Sequence, residues 1–106
     1  MDELIELISV SYEYDSLKQR VPTETTASVW AHIGSVSRAE WYQGGQAGLR
    51  PSLMVTTPIV NYDGQETVIV KGKRYTVYRT YFNYDRDEVE LYLEERVSDI
   101  DTNSIG

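Results

Sequence analysis

The chain predicts a mainly β protein, a small antiparallel β-barrel or sandwich of about six strands, with one short helix and a flexible loop inserted between strands two and three. Three observations carry that expectation. Several stretches alternate apolar and polar residues with period two, turn residues punctuate them, and only one segment has a helix-start signature. Strands never alternate with long helical patterns, which argues against a parallel α/β layout.

Residues 8–14 (Ile-Ser-Val-Ser-Tyr-Glu-Tyr) alternate and read as a half-buried first strand. Leu4, Ile5 and Leu7 before it either extend that strand or form a short turn. Residues 15–26 are polar with Pro22 in their middle and read as a loop. Ala27, Val29, Ala31 and Ile33 then alternate with Ser28, Trp30 and His32, a second strand ending near Gly34. Ser37 and Glu40 have capping-box spacing, with the serine as N-cap and the glutamate reaching back. A short helix follows through Trp41, Tyr42 and Gln43. Gly44 and Gly45 end it or leave it poorly ordered, since each glycine costs about 1 kcal/mol against alanine in a helix interior. Trp41 and Tyr42 are adjacent and leave the axis in different directions, one suited to pack on the barrel and the other to meet a partner.

Residues 43–51 form a flexible connection, whose glycines lack the Gly-Lys-Ser/Thr of a phosphate-binding loop. Residues 53–60 are apolar, but Pro58 demotes them to an edge or bulged strand. Asp63-Gly64 is a hairpin signal joining that strand to the next. Residues 67–70 and 75–82 are rich in β-branched and aromatic side chains. A two-residue type II′ loop at Gly72-Lys73 would set Val70 against Tyr75 and Val68 against Val77. Val89, Leu91 and Leu93 make the apolar face of a last strand after a polar loop at 83–87. Its register meets a conflict. Pairing Phe82 with Glu88 puts Val77 on Leu93 but turns Arg79 onto the apolar face. A one-residue shift frees Arg79 and turns Val77 outward, and a β-bulge near Arg79 would satisfy both. The expected domain is residues 1–97, with a disordered tail at 98–106.

Composition narrows the function. The 106 residues suit a single domain, able to bury about 60–65% of its unfolded surface. No apolar run is long enough for a membrane-spanning helix, and the acidic start argues against export. There is no cysteine, so disulfides, thiolate nucleophiles and cysteine metal sites are excluded. The net charge is −7, and residues 87–101 carry most of it, with seven acidic side chains against Arg96. Such a stretch, including Glu94, Glu95, Asp99 and Asp101, serves solubility and edge protection, meets a basic partner, or walls a channel past which DNA slides. Its sign disfavours tight nucleic-acid binding. His32 is the single histidine, with no nucleophile motif around it, and reads as structural or surface. No calcium-loop spacing appears. No catalytic constellation, cofactor or metal site is expected.

In this order the motifs form a series. The run VPTETTASVWAHIGSVSRAEWYQGGQAGLRPSLMV, then NYDGQETVIVKGKRYTVYRTY, then DEVELYLEERV, resembles the head-closure proteins (stoppers, or head–tail adaptors) of tailed phages and prophages of Gram-positive bacteria. The resemblance spans about residues 5–97. It implies a non-enzymatic virion component, made in the bacterial cytoplasm, that is monomeric when free. Such a subunit joins a ring, about twelvefold, beneath the portal and adaptor proteins after DNA packaging. There it closes the exit channel and offers a platform to tail-joining proteins. It also implies that the segment between the second and third strands faces the channel, here residues 37–55 with Trp41, Tyr42, Gln46 and Arg50. The framework strands inherit no role. Two other readings compete: a tail-completion or tail-tube-related protein, and an OB-like nucleic-acid-binding barrel using Lys71, Lys73, Arg74, Tyr75 and Tyr78. Neither a membrane nor a specific nucleic acid is expected as a partner.

Overall fold

The computed structural model describes residues 2–95; the expected tail, with Asp99 and Asp101, lies outside them. In chain order the elements are β1 (Asp2–Tyr14), β2 (Arg20–Ser35), α1 (Arg38–Gln46), β3 (Pro51–Pro58), a 3-10 turn (Ile59–Asn61), β4 (Thr67–Val70), β5 (Lys73–Asn83) and β6 (Glu88–Glu95). The strands close into one antiparallel barrel in the order β1-β2-β3-β6-β5-β4. This is the mainly β fold expected, with the helix between the second and third strands.

The barrel consists of two three-stranded meanders, β1-β2-β3 and β4-β5-β6, zipped together by β1 on β4 and β3 on β6. The segment joining β3 to β4 therefore crosses the barrel end. It is no hairpin, although Asp63-Gly64 carries hairpin chemistry and Gly64 has φ +81°. A turn signal specifies local backbone, while the strand on its far side is chosen by tertiary pairing. Closure also corrects the edge reading of β3, which is flanked by β2 and β6. Pro58 sits at its last residue, and the irregularity falls between Pro51 and Leu53.

Inside the barrel Ile5, Leu7, Val55, Val68, Val89, Leu91 and Leu93 are fully buried. Each contributes about 1.5–3 kcal/mol relative to exposure. The β4–β5 turn is Lys71-Gly72, with φ of 52° and 79°, a type I′ geometry in place of the expected type II′. Val68 consequently faces Tyr75, and Val70 faces Lys73. The slip is two residues, which keeps every side chain on its expected face. Between β5 and β6 the register shifts between Val77 and Arg79. Val77 thus pairs with Leu93 while Arg79 pairs with Tyr92, and this bulge resolves the conflict seen in the sequence.

The largest departure lies at residues 15–26, expected as a loop. β1 and β2 pair without interruption from Asp2↔His32 to Tyr14↔Arg20, so only residues 15–19 turn. The Asp15 carboxylate accepts from the Leu17 and Gln19 N–H groups (2.8 and 2.9 Å) and shapes that turn. Beyond Ile8 the hairpin leaves the barrel, because β4 pairs only with residues 6–8 of β1 and β3 only with residues 32–35 of β2. Where β2 departs, the Thr57 hydroxyl donates to the Trp30 carbonyl (2.8 Å). Every residue from 10 to 28 is exposed. The radius of gyration, 15.6 Å, exceeds the roughly 13 Å of a compact chain of this length, as a projecting arm requires. The alternating stretch 8–14 is thus largely solvent-facing. Ile5 and Leu7 point inward, and Ile8 is the one buried side chain of that run.

Candidate interaction surface

Helix α1 begins just after Ser37, whose backbone is still extended and whose hydroxyl accepts from the Glu40 N–H (3.0 Å). The expected reciprocal half of the capping box is absent, because the Glu40 carboxylate is engaged elsewhere. It accepts from the Tyr78 hydroxyl (2.6 Å) and from Arg79 Nη2 (2.6 Å) and Nε (3.3 Å). The β5 bulge makes this possible: with the register shifted there, the consecutive residues Tyr78 and Arg79 both reach the helix. Arg79 also lies 3.8 Å over the Tyr92 ring. The Arg79 and Tyr78 hydrogen bonds hold the Glu40 carboxyl below the usual carboxylate range. Burial, and then the bond to Glu40, push the Tyr78 hydroxyl well above the usual tyrosine range.

The helix runs on through both glycines to Gln46, correcting the expectation that it stops or loses order there. Gly44 is buried, and a Cβ on it would lie 2.5 Å from the Pro51 ring. The absence of a side chain is what lets the helix close onto β3. The connection expected to be flexible is tied by Leu49 N–H to Gly44 O (2.8 Å) and by Arg50 N–H to Glu94 Oε1 (3.2 Å).

Anchored from below in this way, α1 turns its aromatic residues outward. Trp41 is 59% exposed and Tyr42 61%, so neither packs on the barrel as one of them was expected to. They border a shallow apolar recess with Val36 and Ala39, and Arg38 beside it makes no ion pair among the described residues. Gln46 and Arg50 are also exposed, at the far end of the helix and in the connection after it. The acidic pair is placed differently. Glu94 caps the Arg50 amide, and Glu95 pairs with Lys73, which lowers its pKa. Both carboxylates hold β6 to its surroundings. His32 is exposed, with Nδ1 3.1 Å from the Asp2 carboxylate.

The basic cluster that a nucleic-acid barrel would use is internally neutralised. Lys71 pairs with Glu3 (3.0 Å), Lys73 with Glu95, and Arg74 with Glu24 (3.8 Å). Tyr75 belongs to the core and Tyr78 to the helix tether. Among the described residues, no group of His, Asp or Glu is arranged to hold a metal ion, and no helix is long and apolar enough to cross a membrane.

Sequence reasoning missed the arm. Its outer face carries Val10, Tyr12 and Tyr14, exposed by 49%, 53% and 72%. The signal was present as Val21, Thr23, Thr25 and Thr26, strand-forming residues around a proline that looked like a breaker. Comparison with protein-family models and with curated proteins finds no match for this chain.

Proposed function

We propose that this protein is a structural, non-enzymatic component of the head–tail connector of a tailed phage or prophage, closing the portal exit channel after packaging and receiving the tail. Supporting the reading are the order of motifs along the chain and one structural observation: a short helix clamped to a closed barrel by Glu40, with Trp41 and Tyr42 displayed to solvent. Aromatic side chains held rigidly outside a core are the chemistry of an interface anchor. The partners on this reading are portal or adaptor ring proteins on one side and tail-joining proteins on the other, with copies of the chain side by side in a ring. The helix and the connection carrying Gln46 and Arg50 would face the channel. Before docking the chain resides in the host cytoplasm, and afterwards in the virion. Removing the gene from its phage tests this. The expected particles are DNA-filled heads that leak DNA and carry no tails; infectious virions in normal yield would contradict the reading.

A further inference from the structure

The β1–β2 arm has a face that the barrel does not use. Paired residues share a face, so Val10, Tyr12 and Tyr14 of β1 lie beside Glu24, Pro22 and Arg20 of β2. The Arg20 guanidinium sits 4.2 Å over the Tyr12 ring. Neither Arg20 nor Lys18 at the tip meets a carboxylate among the described residues. Glu24 is already taken by Arg74, and the Asp15 carboxylate by the turn. At the arm's base, Ile8, Val10 and Tyr12 line a recess with residues 63–67. The carboxylates of Asp63 and Glu66 there meet no cation among the described residues. The face is therefore basic at its tip, aromatic along its length and acidic at its base.

We infer that this face is covered by the same face of a second copy of the chain, the two arms lying antiparallel about a twofold axis near Tyr12. A half-turn brings the tip of one arm onto the base of the other. Lys18 and Arg20 then meet the Asp63 and Glu66 of the second copy, twice per dimer, while the tyrosines cover one another. Such an isologous contact needs only one self-complementary patch. Pairing by the free edge of β2 is the poorer alternative, because Pro22 has no N–H to offer it. An isolated two-stranded ribbon is also marginal in water, and mutual cover supplies the missing layer. The face is about 24 Å long and 10 Å wide. That is a footprint of about 240 Å² per copy and roughly 500 Å² for the pair, below the usual size of specific interfaces, so the dimer is weak and concentration-dependent and draws on its charge pairs. The inference stands apart from the connector reading, and it replaces the expected free monomer with a pair whose arms would exchange partners on docking.

Sedimentation equilibrium from about 1 to 200 µM tests it, a range that covers weak, micromolar association. Wild type should dimerise. K18E/R20E and D63K/E66K should each weaken the dimer by about tenfold, and the four changes together should restore it to within about threefold. The arm lies outside the core, and circular dichroism checks that each variant keeps the barrel. Independently of charge, Tyr12→Cys on this cysteine-free chain should form a disulfide-linked dimer on mild oxidation. A wild type that stays monomeric throughout, a four-fold variant no better than its halves, or a Tyr12→Cys protein that does not cross-link would overturn the inference.

Discussion

Glu40 does the work of two residues. Its backbone N–H takes the Ser37 cap while its carboxylate ties the helix to Tyr78 and Arg79. Replacing it by glutamine keeps the shape and removes the charge, and should cost about 1–3 kcal/mol in thermal or denaturant unfolding. The pH dependence has a definite sign. Because the folded carboxyl titrates below its ordinary range, its contribution is complete above that range and is lost as pH falls through the depressed value. Tyr78 behaves oppositely: with its folded pKa raised, its contribution holds up to the ordinary tyrosine range and is lost at still higher pH. Unfolding of wild type against Glu40→Gln across pH should show the acid-side difference shrinking to nothing. Trp41 belongs to a different class. Truncating a buried tryptophan to alanine costs about 3–5 kcal/mol, whereas a side chain as exposed as Trp41 should cost within about 0.5 kcal/mol. Trp41→Ala should therefore melt like wild type and fail in particle assembly.

At the scale of elements, α1 is held to β3 by the absence of a side chain. In an open helix Gly→Ala stabilises by about 1 kcal/mol. At Gly44 the new methyl would meet the buried ring of Pro51 at 2.5 Å, so Gly44→Ala should instead destabilise, by about 1–3 kcal/mol, in a thermal melt. The arm has the opposite character. Replacing residues 9–25 by Asn-Gly joins Ile8 directly to Thr26, which already face one another, through a favoured two-residue turn. The barrel should survive this with its cooperative unfolding intact. What was legible in the sequence follows the same division. The helix start, the six strands and the bulge near Arg79 were visible because each is written in neighbouring residues or in the clash between Val77 and Arg79. The β1 half of the arm alternates but was read as half-buried, although it faces water on both sides; the β2 half was hidden because no apolar alternation marks it and Pro22 imitates a break. The crossing of 59–66 to β4 was hidden because Asp-Gly reports a turn and not the strand that receives it. Of the expected site, Trp41 and Tyr42 could be named from their neighbours. The intramolecular partners of Glu94 and Glu95 come from residues distant in sequence, and no local pattern predicts them.

The whole molecule is a closed barrel with two projections, the arm and the clamped helix, at opposite ends of β2. Closure leaves no sheet edge within the barrel for chance pairing, and among the described residues the arm and the helix are the elements that stand clear of it. Its net charge of −7 favours solubility, and the hairpin cations Lys71, Lys73 and Arg74 each pair with a carboxylate of the same chain. Both features suit a part that must stay dissolved until a specific docking site appears. The most direct test adds the purified chain to DNA-filled, tailless heads produced in its absence and measures the DNA they retain under nuclease. Binding of the chain to the heads with protection of their DNA, lost in Trp41→Ala, is the predicted result; no binding and no change in protection would contradict it.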